Sequence, residues 1–286
     1  MKTSFFSVVI PLYNKELSII STIESVLKQT FEDFEIVVVN DGSTDNSASR
    51  VKSIENSKIR LINKPNGGVS SARNRGIMEA KSKYIALLDG DDIWFPNHLQ
   101  VIYDMIKSMT DAQVFSTRYI VTGREMFDTS GSFYVSNYYL CNIKEVITTG
   151  YALMCSSNVV AKRECFITAG MFDERYNYGE DLDMWGRLCE KYILAKSKVC
   201  TAQYCITAEN RALDKVSGSN KAKRFIFNRK NSQTYSGKLY YGFTLFYNFV
   251  GNRILKKEIF NNLDIVIIAG VMASYWRVKS KLTGVK

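Results

Sequence analysis

Apolar positions change their spacing several times along the first third of the chain. SVVIPLY (7–13) is a short continuous run, as a buried strand requires, and Leu17, Ile20, Ile23 and Leu27 then recur at helical spacing. The cycle repeats. FEIVVVN (34–40) runs into DGSTDNS, whose Ser and Asp residues favour helix starts. KIRLIN (58–63) leads through Gly67 and Gly68 to the helix-like VSSARNRGIMEAK, and KYIALL (83–88) leads to DGDD. Pro96 then suits the first turn of a helix carrying Leu99, Ile102, Ile106 and Met109. Strands alternating with helices in this way predict an α/β fold, a Rossmann-like, mostly parallel sheet flanked by helices. Residues 111–160 mix sheet and loop, and residues 161–192 predict two helices around a loop, the second starting near Glu180.

Composition adds two constraints. With 286 residues, 46% of them hydrophobic, the chain fills a sizeable core. The net charge of +10 hides an asymmetry: residues 211–286 hold 15 Lys/Arg and 3 Asp/Glu, whereas residues 1–210 hold 23 basic and 25 acidic residues. The composition turns basic near residues 205–220, where SGSN offers a linker. The six cysteines show no CxxC or zinc-finger spacing and read as buried thiols in a reducing cytoplasm. Pro11 and Asn14 interrupt the apolar start, which reads as a first strand rather than a signal peptide. The longest apolar run, residues 263–276, contains Asp264 and is shorter than the roughly 20 residues a membrane-spanning helix needs. Neither GxGxxG nor a Walker loop is present.

The chemistry concentrates at strand ends, where parallel sheets bind ligands. Asp89, Asp91 and Asp92 fall within four positions. Hard carboxylate oxygens so crowded suit a magnesium or manganese ion completed by substrate phosphates; the alternative is a solvated acidic turn.

Taken in order, VIPLYN, VVNDGSTD, GGVSSARNRG, LLDGDDIWFP and GEDLDMW resemble the inverting nucleotide-sugar glycosyltransferases of family two, of the bacterial cell-surface polysaccharide type, which have the GT-A fold. The resemblance spans roughly residues 5–210 and implies a nucleotide-binding half (1–110), an acceptor half (111–210) and, outside it, a basic, aromatic-rich helical region (211–286). It also implies that Pro11, Tyr13 and Asn14 line the nucleotide pocket and that Asp41 accepts the imide N–H of a uracil or comparable base edge. Asp41 could instead cap the next helix, a task open to Ser43 or Asp45. Arg73 would neutralise diphosphate oxygens, with a surface salt bridge as its alternative, and Gly67 and Gly68 would let backbone approach the ligand. Asp89 is assigned to the ribose side and the metal site, and Asp91 to the metal, Mn2+ or Mg2+. Asp92 either starts the next element or supports the others.

Glu180 and Asp181 match the family's Glu-Asp pair, in which the Asp is the general base; the alternative is a carboxylate that only stabilises a helix dipole. Many relatives place a histidine after this helix, whereas YCITAENRALDKVSG has none, leaving Glu209, Asn210 or water as the third ligand. Trp185 is read as core and His98, the only histidine, as structural.

The implied activity is metal-dependent, inverting transfer of a sugar from a nucleoside-diphosphate sugar, UDP-sugar by resemblance, to an acceptor hydroxyl. A lipid-linked glycan of surface polysaccharide or lipopolysaccharide assembly is the expected acceptor. The aromatic and basic stretch 238–257 suits an interfacial helix on the inner face of the cell membrane, or a solvated basic face closing the domain. No nucleic-acid motif accompanies the charge. The rivals are a sugar nucleotidyltransferase, whose Gly-rich basic loop is missing; a glycoside hydrolase, which needs no nucleotide pocket; and a catalytically silent sugar-nucleotide-binding scaffold of a synthase complex.

Overall fold

The computed structural model describes residues 3–122, 138–141, 154–176 and 179–210. The strands are β1 (Phe6–Leu12), β2 (Phe34–Asp41), β3 (Ile59–Lys64), β4 (Tyr84–Leu87), β5 (Ile93–Trp94), β6 (Val114–Val121), β7 (Tyr138–Cys141), β8 (Val159–Lys162) and β9 (Leu194–Tyr204). The helices are α1 (Ile19–Leu27), α2 (Ser47–Lys52), α3 (Val69–Glu79), α4 (His98–Ser108), α5 (Arg163–Thr168) and α6 (Glu180–Lys191). All nine strands join one sheet in the order β3-β2-β1-β4-β8-β6-β9-β5, with β7 also paired to β9. β1 to β4 are mutually parallel, β6 and β9 run parallel to each other, and β5, β7 and β8 are the antiparallel members. This is the mostly parallel GT-A-type sheet with flanking helices that the resemblance implies. The basic extension lies outside the described residues.

The central strands read as continuous apolar runs because both of their faces are covered. Val9, Val37, Val39, Ile85 and Leu87 point to one core, shared with Ala72 and Ile77 of α3, Phe166 of α5 and Met184, Trp185 and Leu188 of α6. Val8, Ile10, Leu12, Ile36, Val38 and Ala86 point to the other, against Ile19, Ile23 and Val26 of α1 and Leu99, Ile102 and Met105 of α4. The buried face of α1 is therefore rotated from the predicted one. Leu17 precedes the helix and is 72% exposed, so a period counted from it starts outside the helix. α3 sits unusually close to the sheet, since a Cβ on Gly76 would meet Val9 Cγ1 at 2.3 Å.

Register brings the chemistry to one edge. β1 lies between β2 and β4, with Leu12 opposite Asn40 and Val9 opposite Leu87. The chain leaving β1 at Tyr13 therefore emerges between Asp41, the last residue of β2, and the acidic turn that follows β4.

Candidate functional site

Arg73 joins the two predicted carboxylate groups. It lies on α3, is 3% exposed, and donates from one terminal nitrogen to Asp89 Oδ1 at 2.7 Å and from the other to Glu180 Oε1 at 2.9 Å. Its guanidinium also stands over the Phe172 ring, 5.3 Å from the centroid. Burial opposes its charge, but Asp89, Glu180 and Asp181 outweigh burial and push its pKa above the ordinary value. The surface salt bridge considered from the sequence is thus a buried bridge between distant segments. Asn74, the next residue, exchanges two 2.8 Å hydrogen bonds with the backbone of Phe172. Both contacts seat the approach to α6. Gly179, with φ +77°, turns the chain into that helix, whose first turn carries Glu180, Asp181 and Asp183 where the dipole favours negative charge. Asp181 is half-buried there.

The acidic turn carries internal compensation. Asp91 Oδ2 accepts the Lys15 ammonium at 2.6 Å. Burial raises the Asp91 pKa, with Lys15 lowering it and Asp89 adding to the rise. Asp92 is fully buried; it accepts the Ser157 hydroxyl and the Cys205 N–H, the latter at 2.8 Å. Burial, then Asp89 and Asp91, push its carboxyl well above the usual range. Ser157 Oγ also accepts the Asp89 N–H at 3.1 Å, so one hydroxyl sets two members of the turn. Asp92 directly precedes β5 and is an anchor inside the site that does not face solvent. Gly90 lets this turn press on β1, because a Cβ there would lie 3.0 Å from the Pro11 carbonyl.

On the other side of β1, Asp41 is 2% exposed and accepts the N–H groups of Gly67 at 3.0 Å and Gly68 at 2.8 Å, together with the Lys64 ammonium. Gly68, at φ +88°, adopts a backbone conformation that favours glycine. Asp41 does not cap α2. The N-cap of α2 is Asn46, with no side-chain cap hydrogen bond, and Asp45 just before it accepts the Ser47 N–H at 2.9 Å. Asn14, at φ +50°, ties the loop after β1 to the loop after β2, its Oδ1 accepting the Thr44 N–H at 2.8 Å. Tyr13 is 37% exposed beside it.

The segment after β9 closes over this loop. Glu209 Oε1 accepts the N–H groups of Leu17 and Ser18 and the Ser18 hydroxyl, at 3.0, 3.1 and 3.0 Å, which places its carboxylate at the start of α1. Asn210 Nδ2 donates to the Tyr13 carbonyl at 3.0 Å. Trp185 is fully buried and meets Phe172 edge to face, as expected of core. His98 is fully buried, stacked on Trp94, with Nδ1 2.7 Å from Thr201 Oγ1. Cys165 and Cys189 are buried, while Cys155, Cys200 and Cys205 are only half-buried, less sheltered than predicted. Lys15 and Ser157 were missed by the sequence reasoning. Lys15 directly follows the predicted Tyr13-Asn14 pair and could have been found once β1 was placed beside β4; Ser157 has no comparable signal.

With this geometry in hand, a model of glycosyl transferase family 2 matches residues 7–167. An uncharacterized glycosyltransferase of Rickettsia bellii is 33% identical over 194 residues, 66% of this chain and 27% of its own length. The hyaluronan synthase of Pasteurella multocida is 29% identical over 262 residues, 89% of this chain and 25% of its own. The chain thus spans about a quarter of the length of either relative. Among solved structures, S. aureus TarS 1-349 in complex with UDP-GlcNAc superposes with a TM-score of 0.71 at 19% identity, covering 93% of this chain and 79% of that one.

Proposed function

Because the chain belongs to glycosyl transferase family 2, we propose that it moves a sugar from a UDP-sugar to an acceptor hydroxyl with inversion. The observation that carries this reading is the single seam formed by Asp89, Arg73 and Glu180, which sets the donor-side turn against the start of α6 and Asp181. The UDP-GlcNAc held by TarS and the likeness to a hyaluronan synthase support the donor class.

In this reading Pro11, Tyr13, Asn14 and Asp41 receive the nucleotide and Asp89 faces the ribose. Arg73 lends positive charge beneath the diphosphate while it orients Asp89 and Glu180. Asp181 takes the proton of the acceptor hydroxyl as that oxygen attacks from the face opposite the diphosphate. Asp91 and Asp89 would hold Mn2+ or Mg2+. No cluster of three or more His, Cys, Asp or Glu suited to a metal occurs among the described residues, and Asp89 and Asp91 are the two carboxylates this reading takes as donors. Such a pair suits a hard cation completed by water and substrate phosphates, and the ammonium seated on Asp91 supports a cation at this position. When bound, such an ion stabilises negative charge on the departing diphosphate.

The acceptor in this reading is a lipid-linked glycan of surface polysaccharide or lipopolysaccharide assembly. The basic residues 211–286 would hold the protein on the inner face of the membrane. No helix among the described residues is long and apolar enough to cross a membrane. Liposome co-sedimentation with and without residues 211–286 checks this part, and binding indifferent to anionic lipid removes it.

The central test joins binding to turnover. Asp181→Asn should keep UDP binding by calorimetry and lose UDP release from a UDP-sugar panel by about 10²–10⁴-fold. Asp91→Ala should lose metal-dependent UDP binding. Full activity in either variant removes that residue from its role, and failure to bind any nucleotide removes the donor site.

A further inference from the structure

Three carboxylates within four positions require compensation, and the seam supplies it for one of them. Arg73 balances Asp89, buried Asp92 is held by a hydroxyl and an amide, and Asp91 depends on Lys15. The Lys15 side chain is 12% exposed and that of Asp91 14%, so this contact is sheltered rather than a solvated surface pair. Lys15 is also fixed at its backbone, whose N–H donates to Ser47 Oγ at 2.8 Å. Its ammonium donates a second bond to the carbonyl of Glu209, whose own carboxylate is anchored at the start of α1. That carbonyl is a tether: an ammonium that let go of Asp91 would stay beside the acidic turn.

The oxygen that Lys15 occupies belongs to the carboxylate assigned above to the divalent ion, and this inference rests on that assignment. A magnesium ion binds carboxylate oxygen at about 2.0–2.1 Å, so an ammonium 2.6 Å from the same oxygen would face it at close range, where like charges in a sheltered site repel strongly. Metal and ammonium therefore compete for Asp91 Oδ2. We propose that Lys15 is a positioning residue that acts as a built-in competitor of the divalent cation. It holds Asp91 while the donor is absent and yields it when the nucleotide arrives with the ion, its freed ammonium then pairing with the diphosphate. Metal and nucleotide binding are coupled through this exchange. The ion alone must displace Lys15 with nothing to receive the ammonium, whereas the diphosphate offers it a new partner.

The exchange predicts effects of opposite sign from one substitution. In Lys15→Met, Mn2+ titrated without nucleotide, followed by the electron paramagnetic resonance of the free ion, should bind about tenfold tighter or better, because a charged hydrogen bond no longer competes. UDP titrated by calorimetry at saturating Mn2+ should bind about tenfold weaker, because the diphosphate loses a cation. Lys15→Arg, which keeps the charge, should stay near wild type in the metal titration. Lys15→Gln repeats the comparison should the methionine variant not fold. A merely structural role for Lys15 would weaken both titrations together. Unchanged or weaker Mn2+ binding in the uncharged variants, where wild type binds Mn2+ with UDP and Asp91→Ala does not, overturns the exchange alone. Absence of Mn2+ binding in wild type with UDP present overturns the metal assignment and the exchange with it.

Discussion

Arg73 and Lys15 each neutralise a carboxylate of the same acidic turn, yet the two cations are built into the protein differently. Arg73 sends a planar fork to two carboxylates on separate segments, over an aromatic ring, with 3% exposure. Lys15 places a point charge between one carboxylate and one backbone carbonyl on a loop. A fork with two fixed partners cannot release one without stranding the other, whereas an ammonium can turn to a new oxygen at small cost. The first arrangement makes architecture and the second permits exchange. Charge pairing near a site thus carries no single meaning; geometry decides whether a pair is a joint or a placeholder.

The comparison is broken most directly at Arg73. Arg73→Met leaves Asp89 and Glu180 sheltered without their cation and should cost about 3–5 kcal/mol in denaturant unfolding. Adding UDP and Mn2+ should not repair it. Lys15→Met should cost less, about 1.5–3 kcal/mol, the range for a hydrogen bond to a charged group. Here UDP with Mn2+ should restore much of the thermal stability, because a bound ion replaces the missing charge. Equal losses, or equal rescue, would erase the distinction between the two cations.

A third variant reaches Arg73 without touching charge. Gly76→Ala adds a methyl group where a Cβ would lie 2.3 Å from Val9 Cγ1, so α3 must lift from β1 and carry Arg73 with it. Overpacking of this kind costs about 1–3 kcal/mol, more than the roughly 1 kcal/mol that alanine gains over glycine in helix propensity. UDP binding should weaken along with stability. Loss of stability with unchanged UDP affinity would mean that the seam tolerates movement of α3.

These residues also show what the sequence makes legible. The parallel half declares itself because strands buried on both faces must be continuous apolar runs, as in FEIVVVN, and because ligands gather at strand ends, where Asp41 and Asp89 lie. The second half does not. β5 is two residues long, and β9 meets β5, β6 and β7 along its length, so no single alternation marks it. Arg73 could be placed near the acidic residues by resemblance, but its partner Glu180 lies 107 positions away and only the folded sheet brings them together. Nothing in the sequence marks Lys15 as part of the site until β1 is set beside β4, because its partner is on the neighbouring strand's exit, 76 positions on.

The smallest expected effect isolates stability from both cations. His98 is fully buried against Trp94, and Nδ1 is its hydrogen-bonding atom; Nε2 is buried with no hydrogen-bond partner among the described residues. Burial disfavours the imidazolium and lowers its pKa to about 3. Between about 3 and the unfolded value of about 6.5, the unfolded chain binds a proton that the folded chain refuses. Stability from this group is therefore fully present above pH 6.5 and is lost as pH falls through that window, at up to about 1.4 kcal/mol per pH unit. Asp92 works in the opposite direction: its raised carboxyl holds a proton in the fold that the unfolded chain has already lost, so falling pH favours the fold through that group. The difference between wild type and His98→Phe removes that opposing contribution. The phenyl ring can keep the stack on Trp94, and Thr201 keeps its 2.8 Å hydrogen bond to Thr117. Urea unfolding at pH 7 and at pH 5 should show wild type losing ground relative to His98→Phe as pH falls. Parallel curves would mean that the imidazole already takes its proton inside the fold.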